Sequence, residues 1–201
     1  MSNTASVNYA LSDGDIKSIM KTFGYPARIY TYDDLSKYNN LDELMPNAYD
    51  YVILHIPVKS LSSGHWVAIM KAPHKDSNKD SSEYNFFDSY GKKPDRQLYY
   101  SNKKVRGELF DEPYLSYLLN KAKKNSNKVV FNRYAYQDDD KQIQTCGKFV
   151  LLRILYFLQH RDISGNAFLK YMKSLKKEKF QGYDYDQIVA VMMDPANPEM
   201  Y

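Results

Sequence analysis

The feature that most constrains this chain is an apolar stretch that begins just after residue 146. Between residues 147 and 160, apolar side chains occupy almost every face of a helix. A helix that is apolar all round is stable only when other elements surround it. The sequence therefore predicts a helix in the middle of a globular domain, with the rest of the chain packed around it.

Three short apolar segments in the middle third of the chain predict a sheet core. Residues 51–56, 66–70 and 83–87 are rich in β-branched and aromatic residues, and short turn-forming stretches separate them. Such short connections favour antiparallel neighbours, because parallel strands need long crossovers. Residues 128–131 predict one more strand. The expected fold class is α+β, with a small mixed or antiparallel central sheet against the buried helix.

Flanking helices complete the predicted fold. Residues 13–23 follow a capping box formed by Ser12 and Asp15 and carry apolar residues at helical spacing. With 201 residues, of which 43% are hydrophobic, the chain is long enough for one substantial core, and a single domain over residues 1–201 is expected. Further helices are predicted around residues 114–119, 168–172 and 188–193.

Charge, cysteine content and hydropathy narrow the possible functions. A net charge of +4 is too mild to indicate a nucleic-acid-binding protein, although basic residues cluster at 103–106, 121–124 and 173–179. A single cysteine permits no internal disulfide, so a reducing compartment is expected. No run approaches the roughly 18 apolar residues of a membrane span. Neither a signal sequence nor a membrane partner is expected.

Cys146, the only cysteine, lies directly before the predicted buried helix. Unpaired N–H groups and the dipole at a helix N-terminus stabilise a thiolate, and a nearby imidazolium adds to this effect. Together they can lower a cysteine pKa from ~8.5 to roughly 3.5–7.5. A lone cysteine is more often a small buried hydrophobic residue. Its position nevertheless makes Cys146 the candidate nucleophile.

Two residues at strand ends are candidates to activate this thiol. His65 comes just before the strand predicted over residues 66–70 and follows a flexible loop, which is a common place for a catalytic group. Asp88 follows the strand predicted over residues 83–87. If these strands are antiparallel neighbours, His65 lies beside Asp88. A carboxylate in that position can fix the imidazole tautomer and stabilise the imidazolium.

Acyl transfer also needs hydrogen-bond donors for the oxyanion. The backbone N–H of Cys146 is one, and the side-chain amide of Gln137, Gln142 or Gln144 is the expected second. Spacing alone does not choose among the three glutamines. The sequence contains no zinc-ligand spacing, no glycine-rich phosphate loop and no GxSxG motif. Metal, nucleotide and serine chemistry are therefore not predicted, and no cofactor is expected.

Three motifs follow one another along the chain. They are Gly64-His65-Trp66-Val67-Ala68, then Phe86-Phe87-Asp88-Ser89-Tyr90-Gly91, then a glutamine upstream of Thr145-Cys146-Gly147. Their order resembles that of the adenain and Ulp1-like cysteine proteases, and in particular the adenovirus-type maturation proteases of large DNA viruses and virophages. The resemblance implies a papain-like active site reached by a permuted chain order, with a buried Cys-bearing helix against a small sheet that carries His and Asp.

The resemblance also implies roles for individual residues. Trp66 looks like the aromatic residue that stands beside the catalytic histidine in the family. Together with Gly64 it is expected at the substrate groove. Among the glutamines, the one that follows a strand and precedes Thr-Cys-Gly by several residues fits the family best. The roles implied are general base for His65, orienting acid for Asp88, nucleophile for Cys146 and oxyanion donor for Gln137.

For function, the resemblance implies an endopeptidase that cleaves capsid and core precursors after small, often glycine-containing sites during virion maturation. Its expected location is the virion and the host-cell cytoplasm or virus factory. Some members of the family need DNA or a peptide as activator, and the basic clusters would permit contact with nucleic acid. The alternatives are an isopeptidase acting on ubiquitin-like modifiers, an acyltransferase, and a non-enzymatic structural protein associated with DNA or capsid.

Overall fold

The computed structural model describes residues 6–60, 63–75, 81–96, 98 and 113–196. Within these residues the predicted α+β class is confirmed, with helices packed on a five-stranded mixed sheet. The strands lie side by side in chain order. They are β1 (Ile29–Thr31), β2 (Tyr51–Ser60), β3 (Ser63–Pro73), β4 (Ser82–Phe87) and β5 (Lys128–Phe131).

The three central strands pair antiparallel, as their short connections predict, whereas β1 and β5 pair parallel with β2 and β4. One detail differs from the expectation, because His65 lies inside β3 and not just before it. The reason is the length of β2, which pairs Ile56 with His65 and Pro57 with Gly64. In the next pair of strands, Ala68 lies opposite Phe87.

The helices predicted from the sequence are all found, together with a 3₁₀ helix and a short helix within residues 32–44. Two helices near the end of the chain are longer than their apolar spacing indicates, because polar and charged residues cover their outer faces. The helices are α1 (Asp13–Thr22), α2 (Leu41–Leu44), α3 (Tyr114–Lys124), α4 (Cys146–His160), α5 (Gly165–Glu178) and α6 (Tyr185–Met192), and the 3₁₀ helix is Tyr32–Lys37.

Alternating side chains of β3 enter two separate cores, one on each face of the sheet. Trp66, Ala68 and Met70 face α1, α4, α5 and α6, while Val67 and Ile69 face the 3₁₀ helix, α2 and α3. The predicted central helix is α4, which is buried along residues 146–158. Among the described residues, no helix is both long and apolar enough to cross a lipid bilayer.

Candidate active site

Cys146 is the first residue of α4, so its thiol lies at a helix N-terminus. Burial alone would raise the pKa of this thiol. The hydrogen bond with His65, the charge of His65 and the backbone N–H groups of Trp66 and Gly147 together lower the pKa below its ordinary value. The surroundings of Cys146 therefore favour the thiolate.

His65 connects this thiol to Asp88. The Nε2 atom of His65 lies 3.1 Å from Oδ1 of Asp88, so Nδ1 is the nitrogen left to meet the sulfur of Cys146. Burial would lower the pKa of His65, but the charge and hydrogen bond of Asp88, together with Cys146, raise it to about 10. A raised histidine pKa beside a lowered cysteine pKa favours a thiolate–imidazolium pair.

Hydrogen bonds from neighbouring residues hold both the backbone and the carboxylate of Asp88. The N–H of Asp88 donates to Oδ1 of Asn132 at 2.9 Å, and Nδ2 of Asn132 donates to the Asp88 carbonyl at 2.7 Å. The N–H of Tyr90 donates to Oδ1 of Asp88 at 2.8 Å, and the Tyr90 ring stacks on His65 with centroids 5.1 Å apart. The chain turns away at Gly91, which has a φ of 66°. Both members of the His65–Asp88 pair are therefore fixed in orientation.

The three candidate glutamines have different environments. Gln137 is buried, and its Oε1 accepts a hydrogen bond from Ser89 Oγ at 2.7 Å. Its Nε2 donates one of its two hydrogens to the Ile143 carbonyl at 3.3 Å. Gln142 and Gln144 are exposed. An oxyanion donor must be preorganised away from water, and of the three only Gln137 is buried. Its role as oxyanion donor stays a prediction.

Trp66 and Gly64 pack closely beside the site. Trp66 is buried, its Nε1 donates to the Leu11 carbonyl at 3.3 Å, and its ring centroid lies 4.6 Å from that of His55. A Cβ at Gly64 would come within 2.3 Å of the Ile56 carbonyl oxygen, so no other residue fits there without movement. The structure thus gives both residues a packing role, and their contact with substrate stays a prediction.

Titratable and basic side chains also occur away from this site. Within the described ranges, no three His, Cys, Asp or Glu side chains gather as a metal ion would require. The basic cluster at 103–106 lies outside the described residues. The clusters at 121–124 and 173–179 lie at the C-terminal ends of α3 and α5, where cationic side chains complement the helix dipole.

No protein-family model matches the chain. "Uncharacterized protein V9" of Sputnik virophage is 32% identical to it over 168 residues, which is 83% of this chain and 85% of that protein. The chain belongs to the family of this virophage protein. Because that relative is itself uncharacterized, membership of the virophage family assigns no activity.

Solved structures with some likeness to this virophage-family chain include two proteases. The ASFV pS273R protease has 13% sequence identity and a TM-score of 0.49, covering 93% of this chain and 67% of its own. A de-sumoylating protease has 15% identity and a TM-score of 0.42, covering 98% of this chain and 86% of its own. At these scores, neither similarity assigns an activity or a site to the virophage-family chain.

Asp186, on α6, is a residue of the site that the sequence reasoning missed. It is buried, its Oδ1 accepts a hydrogen bond from the Thr145 hydroxyl, and its Oδ2 accepts one from the Asp138 N–H at 2.9 Å. Thr145 directly precedes Cys146 and Asp138 directly follows Gln137, so one carboxylate ties the two segments together. The only sequence signal for this role is an acidic residue at the start of an otherwise mostly apolar helix.

The segment before α1 also packs against the start of α4, which the sequence did not indicate. The Gln144 N–H donates to the Val7 carbonyl at 2.7 Å. Nζ of Lys148 donates to the Ser6 carbonyl at 2.8 Å, and burial lowers the pKa of Lys148 to about 8. This N-terminal segment therefore helps to fix the helix end that carries the thiol.

Proposed function

We propose that this chain is a papain-like cysteine endopeptidase related to adenain, with Cys146 as nucleophile. The observation that carries the proposal is the placement of Cys146, His65 and Asp88. A thiol at a helix N-terminus is hydrogen-bonded to an imidazole whose other nitrogen lies 3.1 Å from a buried carboxylate. Packing alone would explain a buried thiol or a His–Asp pair. It does not require a thiol, an imidazole and a carboxylate that are connected in that order by hydrogen bonds.

In the proposed reaction, the thiolate of Cys146 attacks the carbonyl carbon of the scissile peptide bond. The Cys146 N–H, which has no intrahelical acceptor at this position, and the Gln137 amide donate to the oxyanion. When the tetrahedral intermediate collapses, the imidazolium of His65 gives its proton to the leaving amine. His65 then takes a proton from the water that attacks the thioester, and the carboxylic acid product leaves. Asp88 orients His65 in every step and stabilises its imidazolium form before acylation and after the water is deprotonated.

Alkylation by iodoacetamide tests the proposed thiolate directly, because the chain has a single cysteine. We expect fast labelling of Cys146 at mildly acid pH, followed by mass spectrometry, and loss of this fast labelling in His65→Ala. His74→Ala is the matched control, since His74 lies in the turn after β3, near Ser81. Equal labelling rates in His65→Ala and wild type would contradict an activated thiol.

We further propose that the substrates are capsid and core precursor proteins, cleaved after small residues during virion maturation. Support comes from the order of the three motifs and from membership of a virophage protein family.

To test the substrate assignment, wild type and Cys146→Ala should be incubated with the structural proteins of the same genome. Cleavage of these structural proteins by both wild type and Cys146→Ala, or by neither, would contradict this substrate assignment. Reaction with an electrophile on the C-terminus of a ubiquitin-like protein, but not with glycine-containing peptides, would assign an isopeptidase instead.

A further inference from the structure

A cavity of about 740 Å³ lies between the β4–β5 edge of the sheet and the loop that leads into α5. Its walls come from the end of β3, from β4 and β5, and from residues 161–166 and 169. Neither Cys146 nor His65 lines it. Its volume falls within the roughly 300–1,000 Å³ that small-molecule sites occupy. The cavity is therefore a candidate site of its own, separate from the thiol.

Asn85 of β4 lines this cavity with a buried side-chain amide. It is 1% exposed, and neither its Oδ1 nor its Nδ2 is bonded to another described residue. Buried polar side chains are nearly always paired, because an unmade hydrogen bond costs free energy. An amide side chain offers one acceptor and two donor hydrogens. A ligand that presents a donor beside an acceptor, as the edge of an adenine base does, would satisfy both atoms.

Arg153 of α4 is a second buried group with unused donors, and it lies behind the cavity wall. Its Nη2 donates to the carbonyl of Ile163 at 2.6 Å, while Nε and Nη1 have no partner among the described residues. Ile163 itself lines the cavity. Burial lowers the pKa of Arg153 to about 10, and an anion near Ile163 would favour the charged form of the guanidinium.

The remaining lining adds positive charge and aromatic surface. Lys128 is already paired with Glu83 at 2.9 Å, and Asp162 is the other acidic residue of the lining. α5 begins in the wall, has fourteen residues and carries no acidic residue in its first turn. The Ser164 hydroxyl already accepts the Ala167 N–H at 3.3 Å, and Oδ1 of Asp162 accepts the Ser164 N–H at 2.8 Å, so the N–H groups of Gly165 and Asn166 are those that would meet an anion. The other cations of the lining are Lys75, Arg133 and Arg161, and its aromatic rings include Tyr49, Tyr134 and Tyr136.

We propose that this cavity binds a nucleotide, with the base against Asn85 and the tyrosine rings and the phosphate at the N-terminus of α5 beside Arg161. The guanidinium carbon of Arg161 lies 4.5 Å from the centroid of the Tyr49 ring, so a cation and a flat aromatic surface lie side by side at this position. This inference does not depend on the proposed peptidase activity, because neither Cys146 nor His65 nor Asp88 lines the cavity.

Calorimetry on the full chain tests the proposal by comparing the affinity for AMP with the affinities for its two fragments, adenosine and inorganic phosphate. We expect AMP to bind at least about tenfold more tightly than either fragment, because base and phosphate are held together. Asn85→Leu and Arg161→Ala should each weaken AMP binding by about tenfold or more. Lys124→Ala, an exposed lysine of α3, is the control and should leave binding unchanged.

The Asn85→Leu variant separates binding from folding. Removing a buried unpaired amide should leave the melting temperature equal or higher, so a loss of AMP binding in this variant reports the site itself. Binding of a short single-stranded oligonucleotide, measured in the same way, distinguishes a site for a free nucleotide from a site for a nucleotide within a strand. AMP binding no tighter than that of inorganic phosphate, or undiminished in Asn85→Leu, would overturn the proposal.

Discussion

Asp88 and His65 meet where β4 ends, with Oδ1 of Asp88 3.1 Å from Nε2 of His65. Asp88 is the first residue after β4, and Asn132 holds its backbone through two hydrogen bonds. The carboxylate therefore has a fixed direction although it lies outside the strand. This relationship sets both the orientation of the imidazole and its charge.

Asp88→Asn keeps the shape of this contact but removes the charge that raises the pKa of His65. Without that charge the neutral imidazole is favoured, and fewer molecules carry the thiolate. We expect kcat/KM for peptide cleavage to fall by about 10²–10⁴-fold. Asp140→Asn, at an exposed position, is the matched control. An unchanged kcat/KM in Asp88→Asn would remove Asp88 from the mechanism.

The pKa directions of Cys146 and His65 predict a broad pH profile for alkylation. Since the pKa of Cys146 is lowered, the labelling rate should rise at a lower pH than for a free thiol. The imidazolium of His65 should persist up to about pH 10. In His65→Ala, the rate should instead follow an ordinary thiol. Iodoacetamide labelling rates measured over this pH range check both statements, and identical profiles for the two proteins would contradict them.

The same pair predicts how stability depends on pH. The contribution of His65 is complete below its unfolded pKa of about 6.5 and is lost as pH rises to about 10. The contribution of Cys146 is complete above its unfolded pKa of about 9 and is lost as pH falls toward its lowered folded value. The two contributions offset each other between the lowered folded pKa of Cys146 and its unfolded pKa of about 9. Just below pH 9, the difference in unfolding free energy between wild type and a His65→Ala, Cys146→Ala double variant should therefore be flat, and above pH 9 it should decrease. Urea titrations measure this difference, and a slope that continues unchanged through pH 9 would contradict the paired charges.

Asp186→Asn should separate thiol activation from oxyanion stabilisation. Burial raises the pKa of Asp186 above its ordinary value, and the hydrogen bonds from Thr145 and Asp138 only partly offset this rise. In the variant, one acceptor oxygen becomes an amide that cannot accept from the Asp138 N–H or the Thr145 hydroxyl. We expect kcat to fall by about 10–100-fold and unfolding free energy by about 1–3 kcal/mol, with the alkylation profile unchanged because His65 and Asp88 stay in place.

Two variants of the neighbouring threonine complete that experiment. Thr145→Ser keeps the hydroxyl that donates to Asp186 and should retain activity, whereas Thr145→Val should resemble Asp186→Asn. A purely structural role for Asp186 predicts instead that activity loss follows the fraction of unfolded protein. In that case, cooling the variant or adding a stabilising osmolyte would restore kcat.

The sequence predicts those parts of the fold and the site that depend on neighbouring residues. The apolar stretch of α4 and the short connections around β3 are local patterns, and the antiparallel pairing of β3 with β4 brings His65 to Asp88. The parallel pairing of β1 with β2 and of β5 with β4 depends on tertiary packing, and no local sequence pattern predicts it. The bond from Thr145 to Asp186 spans 41 residues and depends on where α6 packs, so spacing could not reveal it.

Which of the three glutamines donates to the oxyanion also depends on tertiary structure, and mutation of each glutamine tests this assignment. Gln137 is buried and oriented by Ser89 and Ile143, whereas Gln142 and Gln144 are exposed. A preorganised amide acts on the oxyanion and not on the thiol. Gln137→Ala should therefore lower kcat by about 10²–10³-fold and leave the alkylation rate of the thiol unchanged. Gln142→Ala and Gln144→Ala should keep both rates, and a larger kcat loss in either would move the oxyanion donor to that residue.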